Sequence, residues 1–163
     1  NDTCESSVPG VYAVGDVNGG PQFTYISLDD FRIVFGALTG NGQYTLKDRK
    51  NIPYTTFLTP PLARVGLTEE DAINKGYTVK TKEMLVATMP RAHVNDYLKG
   101  AFKIVVNADN DLILGATLYS QGAEELINLI KMAMDNNIPY TYFKNQIFTH
   151  PTMAENLNDL CNF

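Results

Sequence analysis

The sequence has no tryptophan and only two cysteines, Cys4 and Cys161, which lie near opposite ends of the 163 residues. That placement gives neither a metal-ligand spacing nor the disulfide framework of a small secreted domain. A basic excess is also missing. Thirteen Lys and Arg stand against eighteen Asp and Glu, a net charge of −5 at pH 7. Nucleic-acid surfaces normally show the opposite balance or a clustered basic face, and docking onto anionic lipid needs the same, so neither partner is expected. No run approaches the ~18 continuous apolar residues of a membrane span, and no cationic and apolar leader opens the sequence. The default reading is a cytoplasmic globular protein. What is present agrees: 44% of residues are apolar and 19% charged, too apolar a mixture for a disordered chain.

Periodicity divides the chain into two textures. Val11-Tyr12-Ala13-Val14, stopped by Gly15-Asp16, reads as a short buried strand with no sequential partner, one that belongs to a sheet whose other strands lie outside this chain. From Thr24 to about Leu38, the residues Ile26, Phe31, Val34, Phe35 and Leu38 have helical spacing, and Gly40-Asn41-Gly42 stops them. The texture changes near residues 45–52, which places a boundary between a segment 1–50 and a domain 51–163. Strands are expected over 54–58, 63–67 and 77–88, with a short helix between the last two that is capped by Thr68 and closed by Gly76. A hairpin is expected from strands 101–106 and 112–119, followed by an amphipathic helix bearing Leu126, Ile127, Ile130, Ala133 and Met134. Shorter helices are expected over 140–144 and from Thr152 onward. Strands followed by helices predict an α+β fold, an antiparallel sheet covered by helices on one face.

Few residues are placed for chemistry. Asp16, at the tip of the first apolar run, could accept hydrogen bonds from sugar hydroxyls, and a plain turn explains Gly15-Asp16 equally. Gly40-Asn41-Gly42 is no phosphate loop, because Thr45 stands where a third glycine belongs. His150 precedes Pro151, which biases it away from helix and permits a cis bond. Thr152 and Glu155 have the spacing of a capping box, and Glu155 is also placed to hold His150 as an acid/base dyad. The two roles are compatible. His93, in the polar run 91–97, reads as a loop residue without catalytic work. Cys4 reads as incidental and Cys161 as a small packing residue. No metal site is expected.

Three stretches, in order, carry a family resemblance: SVPGVYAVGDV at 7–17, FLTPPLARVGLTEE at 57–70, and His150-Pro151-Thr152 with Glu155. The interval between the last two includes Ile113-Leu114-Gly115-Ala116. Together they resemble the C-terminal third of the pyridine nucleotide–disulfide oxidoreductases, the group of glutathione reductase, dihydrolipoamide dehydrogenase and mercuric reductase. The resemblance implies a flavin enzyme using FAD and NAD(P)H to reduce a small disulfide or other oxidant, in the service of cell redox homeostasis. It implies cofactor binding by Gly15, Asp16, Phe23 and Thr24, with Asp16 on the ribityl chain and a helix starting at Thr24 aimed at the flavin. It makes His150, held by Glu155, the acid/base of thiol–disulfide exchange in the partner subunit's active site, so that a homodimer is part of the site. The family's G-x-G-x-x-G, its C-x-x-x-x-C redox disulfide and its NAD(P)H domain have no counterpart here. The chain therefore reads as a fragment, the tail of an FAD domain at 1–50 plus a dimerisation domain at 51–163, inactive and without FAD by itself. The stretch QFTYISLDD at 22–30 is similar to flavin reductases linked to resistance against reactive chlorine species. Mercuric reductases carry tyrosine at the position of His150 and a terminal cysteine pair, a pattern that this sequence does not share. The alternative is a free-standing dimerisation or interaction module without catalysis.

Overall fold

The β-rich half folds as its alternation dictates. In the computed structural model, which describes residues 1–163, five strands form one antiparallel sheet. They are β1 (Tyr54–Thr56), β2 (Leu62–Gly66), β3 (Val79–Leu85), β4 (Ala101–Asn107) and β5 (Ile113–Tyr119), in the order β1-β2-β5-β4-β3. The β4–β5 hairpin is its spine. Its turn is closed by Asn107, whose side-chain oxygen accepts from the Asp109 N–H at 2.9 Å, as asparagine does where a backbone turn needs a surrogate carbonyl. The register slips between Val105 and Val106, a bulge that bends the strand. Gly100, immediately before β4, sits at φ +122, where a Cβ would lie 1.8 Å from the Tyr119 carbonyl oxygen, so only glycine fits.

One sheet face is apolar. Ala63 and Val65 of β2, Phe102, Ile104 and Val106 of β4, and Ala116 and Leu118 of β5 are all buried on it. The helix α4 (Ala123–Asp135) covers β1, β2 and β5. Its stripe of Leu126, Ile127, Ile130 and Ala133 recurs every three to four residues and enters the same core. A fully buried side chain such as Ile130 contributes about 1.5–3 kcal/mol by leaving water. The helices α5 (Tyr140–Asn145) and α6 (Asn156–Leu160) close the chain, and α6 packs Leu157 and Leu160, with the adjacent Cys161, against β3 and β4. The α+β class with helices on the apolar face is therefore the one observed. The short α2 (Glu69–Asn74) borders the other face, tied down by Lys103 to Glu69 at 2.7 Å.

The chain divides into two compact units, Asn1–Lys50 and Asn51–Phe163. In the first, α1 (Thr24–Thr39) is ended by Gly40 in the left-handed conformation. It buries Ile26 and Ile33 but leaves Leu28, Phe31, Phe35 and Leu38 exposed.

The run 11–14 makes only an isolated bridge, Tyr12 to Glu5, and leaves Val11 and Val14 exposed; the strands expected to cover it lie outside this chain. Three expectations need correction. The strand expected over 77–88 stops at Leu85, because a tight turn at Val86–Thr88 tucks Val86 and Met89 into the core. His93 lies on a short helix, α3 (Pro90–Val94), not in a loop. Proline at the first helical position and burial of Ala92 overcome the polarity of that run. The last helix begins at Asn156 rather than Thr152. The turn before it is bonded over three residues, Leu157 N–H to Ala154 and Asn158 N–H to Glu155, the tighter pattern common at helix ends.

Candidate active-site residues

In the larger unit, the turn 152–155 brings His150 and Glu155 together. The two oxygens of Glu155 act separately. Oε1 accepts the Thr152 N–H at 2.9 Å, and the Glu155 N–H donates back to Thr152 Oγ1 at 3.2 Å. Those are the two bonds of a capping box. Oε2 faces His150 Nδ1 at 2.8 Å. The box and the dyad therefore coexist in one residue. The hydrogen bond from His150, followed by that from the Thr152 N–H, holds the Glu155 carboxyl below the ordinary carboxylate range. An ionised Glu155 accepting from Nδ1–H leaves Nε2 as the free nitrogen of the ring. The His150 side chain is 67% exposed, against 20% for Glu155, so the ring is anchored at one edge and open at the other. The peptide bond to Pro151 is cis.

The smaller unit contains the other candidates. Gly15 opens a 3-10 turn, Gly15–Asn18, at φ +71, and a Cβ there would meet Ser27 Oγ at 2.8 Å. Asp16 is exposed on that turn. Phe23 is the residue before α1 and stacks on Tyr25 at 5.1 Å between ring centroids, and Thr24 is the first residue of α1. No side chain caps that helix, and its first turn carries no acidic residue. Its N-terminal end is therefore left suited to an anionic or electron-rich group.

The turn is fixed by a residue the sequence did not single out for this role. Asp30 is wholly buried on α1. One of its oxygens accepts from the Gly15 N–H and from Asn18 Nδ2, both at 2.8 Å. The other accepts from Arg49 at 2.5 Å, and Arg49 also reaches Asp29. Burying a carboxylate without such partners costs several kcal/mol, so this cluster must form as a unit. An acidic pair flanked by apolar positions of a helix, with an arginine nineteen residues on, was the available signal.

Both cysteines are buried, and neither is poised as a thiolate. Burial and then the Asp30 charge raise the Cys4 thiol, and burial pushes Cys161 up to about 12. His93 Nε2 lies 2.8 Å from the Ala87 carbonyl oxygen, a local structural contact. No group of three or more His, Cys, Asp or Glu side chains is placed to hold a metal ion. No helix is long and apolar enough to cross a membrane.

An antiparallel sheet backed by helices, with a C-terminal His–Pro turn and a glutamate on the imidazole, is the arrangement that the resemblance to the pyridine nucleotide–disulfide oxidoreductases implies for their dimerisation domain. Residues 52–161 match the model of the pyridine nucleotide-disulphide oxidoreductase dimerisation domain, and the chain belongs to that family. Among curated relatives, it is 49% identical over 150 residues to the probable pyridine nucleotide-disulfide oxidoreductase RclA of Escherichia coli strain K12. That match covers 92% of this chain and 34% of the relative. A mercuric reductase of Staphylococcus aureus is 35% identical over 157 residues, covering 96% of this chain and 28% of that protein. The solved structure of the HOCl-induced flavoprotein disulfide reductase RclA from Escherichia coli superimposes with a TM-score of 0.96 at 46% identity. It covers 99% of this chain and 37% of that one. The chain thus spans about a third of the length of the relatives it matches.

Proposed function

We propose that this chain acts as the dimerisation domain and flavin-facing tail of an FAD-dependent, NAD(P)H-driven disulfide reductase. In this reading, His150 and Glu155 work as the acid/base pair in the active site of the partner subunit of a homodimer. The observation that carries it is the 2.8 Å contact of His150 Nδ1 with Glu155, which leaves the other ring nitrogen exposed. Segment 1–50 is read as the end of an FAD-binding domain and 51–163 as the dimerisation domain. The division into units at Lys50 and Asn51 and the family match over 52–161 support that reading.

The residues of the smaller unit fit the cofactor. The tight turn at Gly15 presents the exposed Asp16 as an acceptor for hydroxyl groups, and α1 starts at Thr24, beside Phe23, with no side-chain cap on its positive dipole end. When bound, FAD would relay the two electrons of a nicotinamide hydride to a redox disulfide. The balance is NAD(P)H plus a proton plus a disulfide, giving NAD(P)⁺ and two thiols. His150 Nε2 takes the proton from an attacking thiol, so that the thiolate forms, and returns a proton to the sulfur that leaves. Glu155 keeps Nδ1 protonated and stabilises the imidazolium between those events. The likeness to RclA, whose solved structure is of a flavoprotein disulfide reductase, favours a disulfide or an oxidised thiol as substrate over mercuric ion. So does a histidine at position 150 with a single, buried cysteine near the terminus.

The test is stopped-flow kinetics of the whole enzyme carrying His150→Ala. The disulfide half-reaction should slow by roughly 10²–10⁴-fold, the usual worth of general acid–base catalysis. Flavin reduction by NAD(P)H should be largely spared. Equal loss in both half-reactions would remove His150 from the proposed role.

A further inference from the structure

We propose that Asn158 is a positioning residue for the His150–Glu155 pair: its side-chain amide ties the end of α5, from which the His150 loop departs, to α6, the helix that Glu155 immediately precedes. Apart from Phe148, which packs against the hydrophobic core, the loop has few ties. No backbone N–H of Ile147, Phe148, Thr149 or His150 donates to another backbone group, and Ile147 is 95% exposed. At its far end, Thr152 Oγ–H donates to the Thr149 carbonyl at 2.8 Å. At its near end, the single amide nitrogen of Asn158 lies 2.7 Å from the Phe143 oxygen, 2.9 Å from that of Gln146 and 3.3 Å from that of Lys144.

Those carbonyls belong to the last turn of α5 and the residue after it, where a helix leaves its oxygens without intrahelical partners. Three acceptors around one atom fix which end of the amide points there, since only the NH2 can donate. Its two N–H groups serve the two nearest carbonyls, with Lys144 sharing. The backbone N–H of Asn158 donates to the Glu155 carbonyl at 3.0 Å, so the same residue fixes both members of the pair. The other end of α6 is anchored independently. Lys82 of β3 donates to the Asp159 and Asn162 carbonyls at 2.7 and 2.6 Å, and Leu157 and Leu160 are fully buried. Loss of the Asn158 amide would therefore release the loop rather than the helix. A displacement of about 1 Å between Nδ1 and Oε2 suffices to break a hydrogen bond of ordinary length.

The proposal takes its functional meaning from the reading above, but its test reads the hydrogen bond itself. An enzyme in which His150 proved dispensable would refute that reading and leave this one standing. The experiment is nitrogen and carboxyl-carbon NMR of this chain with Asn158→Leu and Asn158→Asp, which remove the donors at nearly constant volume. The parent chain should show His150 as the Nδ1–H tautomer, with Glu155 titrating below the ordinary carboxylate range, where the histidine holds it. Both variants should show a mixed His150 tautomer and a Glu155 titration moved back up, with His93 unchanged as the internal control. If Asn158→Leu does not fold, Asn158→Ser, which keeps one donor on a shorter arm, decides by the same two spectra. Lys82→Met should lower stability and leave the His150 tautomer alone. A folded Asn158 variant with the parent tautomer and titration would overturn the proposal. So would a Lys82→Met spectrum as disturbed as that of Asn158→Leu.

Discussion

Glu155 gives the sharpest test of how cap and dyad are divided within one side chain. Glu155→Gln can keep an acceptor at 2.9 Å from the Thr152 N–H while replacing the oxygen that faces His150 by an NH2 group. Glu155→Ala removes both. The cap is worth about 1 kcal/mol. The pairing with a histidine side chain that is 67% exposed adds roughly 0–1 kcal/mol, because solvent screens it. At pH 7, Glu155→Ala should therefore cost about 1–2 kcal/mol and Glu155→Gln less than about 1 kcal/mol. The pH dependence separates them further. The folded carboxyl titrates below its unfolded value, so its charge-dependent stabilisation is complete above the unfolded pKa and is lost as pH falls through the folded one. At a pH below the folded value, the deficit of Glu155→Gln should shrink toward zero while that of Glu155→Ala persists at the value of the cap. Urea denaturation at the two pH values, with unchanged slopes, measures both quantities. Equal losses for the two variants at pH 7, or a Glu155→Gln deficit that ignores pH, would refute the division of labour.

Three other perturbations follow from the packing. Asp30→Ala leaves the Gly15 N–H unpaired and Arg49 with Asp29 alone, so it should destabilise the smaller unit by about 1–3 kcal/mol, read as faster hydrogen exchange within Asn1–Lys50. Gly100→Ala would drive a Cβ against the Tyr119 carbonyl oxygen from a positive φ and should cost at least about 1–3 kcal/mol, visible in thermal melting. Cys161 and Cys4 should react with a thiol reagent at pH 8 only at the rate of unfolding, because burial raises both thiols; immediate labelling of either would contradict the burial.

The sequence carried the larger unit well because its signals are local and repeated. The β4–β5 hairpin, the Thr68 cap and the stripe of α4 each lie within a window that periodicity can read, and all are present. The boundaries failed where the deciding contact is distant. The strand β3 ends because Val86 and Met89 find core space. In the candidate site, T-x-x-E and His-Pro were legible as a short motif, and the structure adds that one carboxylate serves both readings. Asp30 and Asn158 were not legible as supports, since their partners, backbone and side-chain groups alike, lie twelve to nineteen residues away.

Mixed dimers of the whole enzyme test most directly whether His150 serves the partner's active site. One subunit carries His150→Ala with intact redox cysteines; the other keeps His150 and has its redox cysteines replaced by serine. Each homodimer lacks a complete site. If His150 acts across the interface, the mixed dimer contains one complete site and should show about half the disulfide reductase activity of the parent dimer. If His150 acts within its own subunit, the mixed dimer contains none. A purified mixed dimer with no activity above either homodimer would contradict the account.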